Sequence, residues 1–179
     1  TSLNVEFTGC IITDKEIINT LIDGEHILHD KDGSYINIFA AFDVYYINGV
    51  DIAGMPFINI QTSEKEELSK AKDKPKDKNK DKNKETCRYN YLNSLIKKLD
   101  IKSIIPKSSA SIEIIAKKFY AGNIFKGCSL ILDNIDNGLY KYNTDGLIFT
   151  PLISGIGGSK MNKQAPKSKI TWNESFKWK

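Results

Sequence analysis

The chain has 179 residues, of which 40% are hydrophobic and 27% charged, and its formal net charge is +4 at pH 7. This length suits one domain, since domains commonly reach ~100–200 residues before a single core divides. The sequence contains no apolar run near the ~20 residues that a membrane-spanning helix requires. Three cysteines, Cys10, Cys87 and Cys128, are widely spaced and form no CxxC pair. We therefore expect neither a disulfide framework nor a closed zinc site, and a reducing, intracellular compartment fits best.

One internal segment and both chain ends differ from the rest. Residues 62–86 carry nine Lys against seven Asp or Glu and almost no apolar side chain. Such a segment buries too little surface to offset its ordering entropy, so we expect a disordered Lys/Asp-rich insertion. The chain starts at Thr1 without a signal-peptide pattern and stops at Lys179 in an alternating apolar and basic stretch. We expect a domain that is incomplete at both ends.

The first third of the chain predicts an antiparallel hairpin. Residues 21–28 and 35–46 are apolar and rich in β-formers, and residues 29–34 between them have the composition of a tight turn. Asn48 and Gly49 give a second turn signal, after which residues 50–52 return as a further strand.

The middle of the chain predicts two helices. Residues 89–99 place Leu92, Leu95, Ile96 and Leu99 on one helical face. Residues 123–135 form a second candidate helix, with Ile124, Cys128, Ile131 and Leu132 facing inward. Residues 111–119 fit a strand or a helix equally well.

The last part of the chain predicts strands. Residues 139–152 predict two strands joined by a turn at 143–146, residues 155–169 a loop, and residues 170–179 a closing strand. The whole is a mixed α+β pattern without βαβ alternation.

Four short motifs place charged groups in or beside these strands, namely DGE at 23–25, FDVYYINGV at 42–50, TDGLIFTP at 144–151 and FKWK at 176–179. Each has an ordinary alternative: a surface bulge for DGE, a hairpin turn for Asp145 and Gly146, and a Lys-protected edge strand for FKWK. Asp43 lies in an apolar strand, where an unpartnered carboxylate is costly. It must face a cleft, a cation or a buried donor.

In this order the four motifs resemble those of the covalent nucleotidyltransferases, most closely the guanylyltransferase domain of mRNA capping enzymes of large DNA viruses. The resemblance implies an ATP-grasp-like α+β fold with largely antiparallel sheets flanked by helices. It implies transfer of GMP from GTP, through an enzyme-lysine adduct, to the 5′ diphosphate end of RNA, with Mg²⁺ or Mn²⁺. It also implies an intracellular protein without a membrane partner, located in the viral factory of the host cytoplasm or in the virion, with further capping domains in the same chain.

The resemblance assigns roles to individual residues. Asp145, Lys177 and Lys179 would be catalytic, with the two lysines on the α-phosphate and Asp145 near it. Glu25 would bind the ribose or the metal, and Asp145 would also bind the metal. Phe42 would stack on the base, and Asp43 would support the phosphate or metal side.

The chain departs from the family at the nucleophile. The family carries it in a KxDG motif before the DGE strand, and this sequence contains no KxDG motif. Lys31, Asp32 and Gly33 lack the intervening residue and follow DGE, so we expect Lys31 to be an exposed turn lysine. We also expect the C-terminal OB-fold of the family to lie outside this sequence. An ATP-dependent DNA or RNA ligase adenylation domain, and a non-catalytic nucleotide- or RNA-binding module, remain alternatives.

Overall fold

A computed structural model describes residues 5, 7–59, 87–103, 111–156 and 175–179. Within these ranges the protein is mixed α+β, with largely antiparallel strands and two helices. The strands are β1 (Cys10–Ile12), β2 (Leu21–His29), β3 (Tyr35–Ile47), β4 (Val50–Asp51), β5 (Ile101–Ser103), β6 (Glu113–Ala116), β7 (Leu147–Phe149) and β8 (Phe176–Trp178); the helices are α1 (Arg88–Lys98) and α2 (Ile124–Asp136), with a 3-10 helix at Lys15–Ile17. The predicted insertion at 62–86 and most of the predicted loop at 155–169 lie outside the described residues.

The predicted hairpin is confirmed. β2 and β3 pair antiparallel from Leu21 opposite Tyr46 to His29 opposite Tyr35. Asp30 shapes the turn between them, since its Oδ1 accepts hydrogen bonds from the backbone N–H groups of Asp32 and Ser34 at 2.9 and 2.8 Å. This Asx-type turn explains why the polar sequence at 30–34 reverses the chain here.

Two further strands pair with β3. β4 follows the predicted turn at Asn48 and Gly49, whose φ angles of +49° and +76° suit a tight hairpin, and it pairs antiparallel with the end of β3. β6 pairs parallel with residues 38–41 of β3. The segment at 111–119, which the sequence leaves between strand and helix, therefore contains a strand.

The core lies between β3 and α1. Ala41 and Val44 of β3 and Leu92 of α1 are fully buried and pack with Ile52. The predicted helix at 89–99 is confirmed as α1, with Leu92 and Leu95 buried and Ile96 packed against the cluster.

Helix α2 is also confirmed, but part of its predicted inward face is wrong. Asn123 caps its start by accepting a hydrogen bond from the N–H of Lys126 at 3.1 Å. Cys128 and Ile131 are half-buried, whereas Ile124 and Leu132 are 54% and 40% exposed. The reason is that this helix borders an open cleft instead of a closed core, so none of its side chains is fully buried.

The prediction of a strand at the start of the 139–152 segment is wrong. Residues 139–146 have no regular secondary structure, and only β7 forms in this stretch. A strand needs a ladder of partners, and the carbonyl of Lys141 instead accepts a hydrogen bond from the N–H of Lys31 in the β2–β3 turn, at 3.4 Å.

The predicted closing strand is confirmed where it is described, while residues 170–174 lie outside the described ranges. β8 pairs antiparallel with β7, with Trp178 opposite Leu147 and Lys177 opposite Ile148. Gly146 precedes this pair with a φ of +129°, and a Cβ there would collide with the carbonyl oxygen of Trp178. Glycine is therefore required at this position by both backbone conformation and space.

A buried ion pair joins the elements around the core. Asp43 and Arg88 are 6% and 2% exposed, and Arg88 donates to both carboxylate oxygens, at 2.8 Å from Nε and 3.1 Å from Nη2. Its Nη1 also donates to the carbonyl of Met55 and, at 3.2 Å, to that of Ser154. Arg88 is thus the buried donor that the sequence requires for Asp43, and it links β3 to two loops.

We expect Asp43→Leu to lower the free energy of unfolding by about 3–5 kcal/mol, because it leaves the Arg88 guanidinium buried without a counter-charge. The double variant Asp43→Leu/Arg88→Met should recover much of this loss, since it removes both charges. Urea unfolding followed by circular dichroism measures the effect. Asp136→Asn, at the exposed end of α2, is the control and should change stability by no more than about 0.5 kcal/mol. A cost of Asp43→Leu near that of the control would contradict the anchoring role.

Candidate functional site

A cleft of about 1000 Å³ lies between the sheet and helix α2. β2, β3, β6, α2, β7 and the segment at 139–146 all contribute to its walls. Its size is at the upper end of the ~300–1,000 Å³ typical of small-molecule sites. The charged side chains that line it are Asp23, Glu25, Asp43, Arg88, Glu113, Lys117, Lys118, Lys141 and Asp145.

Lys117 is the centre of one charged group in the cleft. It follows β6, and its backbone N–H donates to the carbonyl of Ala41 at 2.7 Å, which fixes it beside β3. Its ammonium group donates to the Glu25 carboxylate and lies 5.8 Å from the centre of the Phe42 ring. Glu25 and Phe42, both predicted site residues, are therefore joined by a lysine that sequence reasoning missed. The available signal was a basic pair directly after the apolar run at 114–116.

Asp43 lines the same cleft, but its carboxylate is already engaged. Both oxygens accept from Arg88, and Oδ1 also accepts from the N–H of Val44 at 2.8 Å. A direct role on a phosphate or metal would require this buried pair to open. The geometry makes Asp43 a structural anchor next to Phe42 in sequence.

Tyr45 and Asp23 form a second polar contact on the cleft wall. The Tyr45 hydroxyl donates to Oδ2 of Asp23, whose Oδ1 accepts from the N–H of Gly24 at 2.9 Å. Burial and the Asp23 carboxylate raise the pKa of Tyr45, so its hydroxyl stays protonated and continues to donate. This contact holds the DGE motif against β3.

Asp145 and Lys177 form another charged group beside the cleft. Asp145 lines the cleft, and its Oδ2 accepts from the ammonium of Lys177 at 2.5 Å. This hydrogen bond, together with the positive charges of Lys177 and Lys179, lowers the pKa of Asp145. β8 brings Lys177 here because its pairing with β7 places it opposite Ile148, three residues after Asp145.

The predicted site residues are therefore brought together in part. Glu25, Phe42, Asp43 and Asp145 line one cleft. Neither predicted lysine lines the cleft, and both side chains are exposed. Lys177 reaches the cleft only through its hydrogen bond to Asp145, and Lys179 acts on Asp145 through its charge. Lys31 lies in the β2–β3 turn and is exposed, as expected.

The two predicted metal ligands offer only a partial site. Among the described residues, no three His, Cys, Asp or Glu side chains are grouped closely enough to hold a metal ion. Glu25 is paired with Lys117, and Asp145 with Lys177. Mg²⁺ commonly takes one or two carboxylates and completes its shell with water and substrate phosphates. Exposed Asp145 fits such a one-carboxylate site, whereas a cage built from these side chains does not form.

No family model, curated protein or solved structure matches this chain. Within the described part of the chain, neither helix is long and apolar enough to cross a membrane.

We expect Lys177→Ala to raise the pKa of Asp145, because it removes the hydrogen bond that contributes most to the lowered value. A lowered pKa means that the ionised pair is present at neutral pH and is lost as the pH falls through the lowered value. Carboxyl ¹³C NMR titration measures the shift. Lys97→Ala, on the exposed side of α1, is the matched control and should leave the Asp145 titration unchanged. An identical titration in Lys177→Ala and the parent chain would disprove the pairing.

Proposed function

We propose that this chain is part of an mRNA guanylyltransferase, which transfers GMP from GTP to the 5′ diphosphate end of RNA. The observation that carries the proposal is that Glu25, Phe42 and Asp145, which belong to three separate motifs, line one cleft, with Lys177 paired to Asp145 at its end. Such convergence of an aromatic ring, carboxylates and lysines suits a nucleoside triphosphate. The α+β arrangement is compatible with the nucleotidyltransferase fold that the motif order suggests.

The charges suggest how the nucleotide lies. Phe42 offers a half-buried aromatic face for the base, since stacking costs little side-chain entropy. Glu25 lies beside it and can accept a hydrogen bond from the ribose. The phosphates would then reach Asp145 and its partner Lys177, with Lys179 nearby, and these cations would stabilise the charge that develops on the phosphate oxygens.

The proposed reaction has two steps on the α-phosphorus. A lysine amine attacks it, a P–N bond forms, the bond to the bridging oxygen breaks, and pyrophosphate leaves while the amine proton passes to solvent. A terminal oxygen of the RNA diphosphate then attacks the same phosphorus, the P–N bond breaks, and the lysine regains a proton. The nucleophile belongs to a KxDG motif that this chain does not contain.

A divalent metal bound at Asp145 would neutralise phosphate charge in both steps. Asp145 is suited to this because its carboxylate stays ionised beside Lys177 and Lys179. Lys177 can exchange its partner from Asp145 to a phosphate oxygen when the nucleotide binds, since the pair is exposed and its partners are only weakly held.

Lys117 supports GTP over ATP. A base stacked on Phe42 would lie against the Lys117 ammonium, which is 5.8 Å from the ring centre. Guanine presents O6 and N7 as acceptors on one edge, whereas adenine places an amino donor at the position of O6. An ammonium group can only donate, so it favours guanine.

The test is adduct formation by the full-length parent protein with labelled GTP or ATP, a divalent metal and no RNA. We expect a covalent GMP adduct, and we expect Lys177→Ala and Lys179→Ala to abolish it, because the α-phosphate loses its cations. Lys97→Ala is the control and should form the adduct normally. An AMP adduct would indicate a ligase, and no adduct from a parent with an intact KxDG lysine would indicate a non-catalytic binding module.

We expect Lys117→Met to weaken GTP binding roughly tenfold or more, because a hydrogen bond from a charged group is worth about 1.5–3 kcal/mol. ATP binding should change much less, so the ratio of the two dissociation constants falls. Isothermal titration calorimetry measures both constants. Lys126→Met, on the exposed start of α2, is the matched control. Equal losses for GTP and ATP would show that Lys117 does not read the base.

A further inference from the structure

Two tyrosines form an aromatic pair on the cleft wall that the donor nucleotide does not use. Tyr140 and Tyr142 lie in the irregular segment between α2 and β7, with ring centres 6.2 Å apart and planes inclined by 50°. Both line the cleft and are partly shielded from solvent. The sequence alternation in this segment predicts a strand, but the two rings face the cleft instead of a strand partner.

The pair is held in place by its surroundings. The Asn134 amide on α2 donates to the Tyr120 hydroxyl at 3.2 Å and lies close enough to the Tyr140 hydroxyl to offset part of the rise in its pKa. The carbonyl of Lys141, between the two tyrosines, accepts from the N–H of Lys31. Burial raises the pKa of both phenols, so the rings remain neutral. A preformed, neutral aromatic surface is suited to stacking a base.

The position of Tyr142 relates it to both charged groups of the cleft. The Glu25 carboxylate is close enough to contribute to the raised pKa of Tyr142. Asp145 follows three residues later, and three residues span at most about 11 Å. Tyr142 is therefore close to both charged groups: the Glu25–Lys117 pair, where the donor base is placed, and the Asp145–Lys177 pair, where the phosphates are placed.

We propose that Tyr142, supported by Tyr140, stacks the first base of the acceptor RNA. This inference rests on the proposed guanylyltransferase function. The 5′ diphosphate of the acceptor must reach the α-phosphorus beside Asp145, so its first nucleoside has to lie near that end of the cleft. Phe42 is taken by the donor base, and the cleft volume of about 1000 Å³ leaves room for a second nucleoside.

The proposed contact has a specific consequence for selectivity. Every base has a π-face, so stacking accepts purines and pyrimidines alike. Lys141, the charged neighbour of the pair, is 70% exposed and 3.9 Å from Glu113, so it adds little electrostatic selectivity. We expect acceptor RNAs that differ in their first base to bind with similar affinity.

The experiment measures binding of a fluorescently labelled 5′-diphosphate RNA oligonucleotide to the full-length parent by anisotropy, alongside GTP binding by calorimetry. We expect Tyr142→Ala to weaken RNA binding roughly five- to a hundredfold, the range for loss of stacking on one aromatic ring. The loss of RNA affinity should exceed any loss of GTP affinity at least fivefold. Tyr142→Phe should retain RNA binding, because it keeps the ring.

Two further variants make the result decisive. Tyr142→Leu keeps the bulk without the aromatic face and should bind RNA as weakly as Tyr142→Ala, which separates stacking from packing should the alanine variant fail to fold. Tyr35→Ala, at an exposed site on β3 outside the cleft lining, is the control and should bind RNA normally.

Unchanged RNA affinity in Tyr142→Leu, or an equal loss of GTP and RNA affinity, would overturn the inference. A missing GMP adduct would reject the proposed function separately, because RNA binding is measured without GTP.

Discussion

The buried pair of Asp43 and Arg88 is the constraint on which the arrangement of the cleft depends. Removing two charges from water is costly, and the cost is met here by two hydrogen bonds between the charged groups and by further bonds from Arg88 to backbone carbonyls. Those carbonyls belong to the loop after β4 and to the segment after β7. The same side chain therefore fixes the residue next to Phe42 and the far end of the β7 segment. Arg88 lies in α1 and Asp43 in β3, 45 positions away in sequence, so the pair also joins α1 to the sheet.

The cleft separates two kinds of surface. On the sheet side, the ion pair between Glu25 and Lys117 and the pair between Asp145 and Lys177 each set a carboxylate against an ammonium group. On the α2 side, half-buried Cys128 and Ile131 and several aromatic rings give an apolar wall. A nucleoside triphosphate and its RNA acceptor need both kinds of surface, since they carry charged phosphates and flat, weakly polar bases. This match between wall chemistry and ligand chemistry is the physical basis of the proposed function.

Local sequence patterns predict a secondary-structure element correctly where the element depends on residues close to it in sequence. The β2–β3 hairpin follows from strand composition and an Asx turn, and α1 follows from the spacing of Leu92 and Leu95. The irregular segment at 139–146 is mispredicted, because its alternation reflects two tyrosines that face a cleft and not a strand ladder. The four motifs contain the cleft residues Glu25, Phe42 and Asp145, but Lys117 lies outside all of them. Its place in the cleft depends on the parallel pairing of β6 with β3, a long-range contact that the basic pair at 117–118 does not reveal by itself.

Gly146 has an implication for how the charged end of the cleft can vary. Its hydrogen lies against the backbone of Trp178, so the turn that carries Asp145 and the strand that carries Lys177 touch main chain to main chain. Their spacing is therefore set by peptide groups, which cannot shorten or lengthen as side chains do. Any side chain at 146 would push β8 outward and separate the Asp145 carboxylate from the Lys177 ammonium. The Asp-Gly dipeptide thus fixes the distance between the turn and β8 so closely that not even one methyl group fits at position 146.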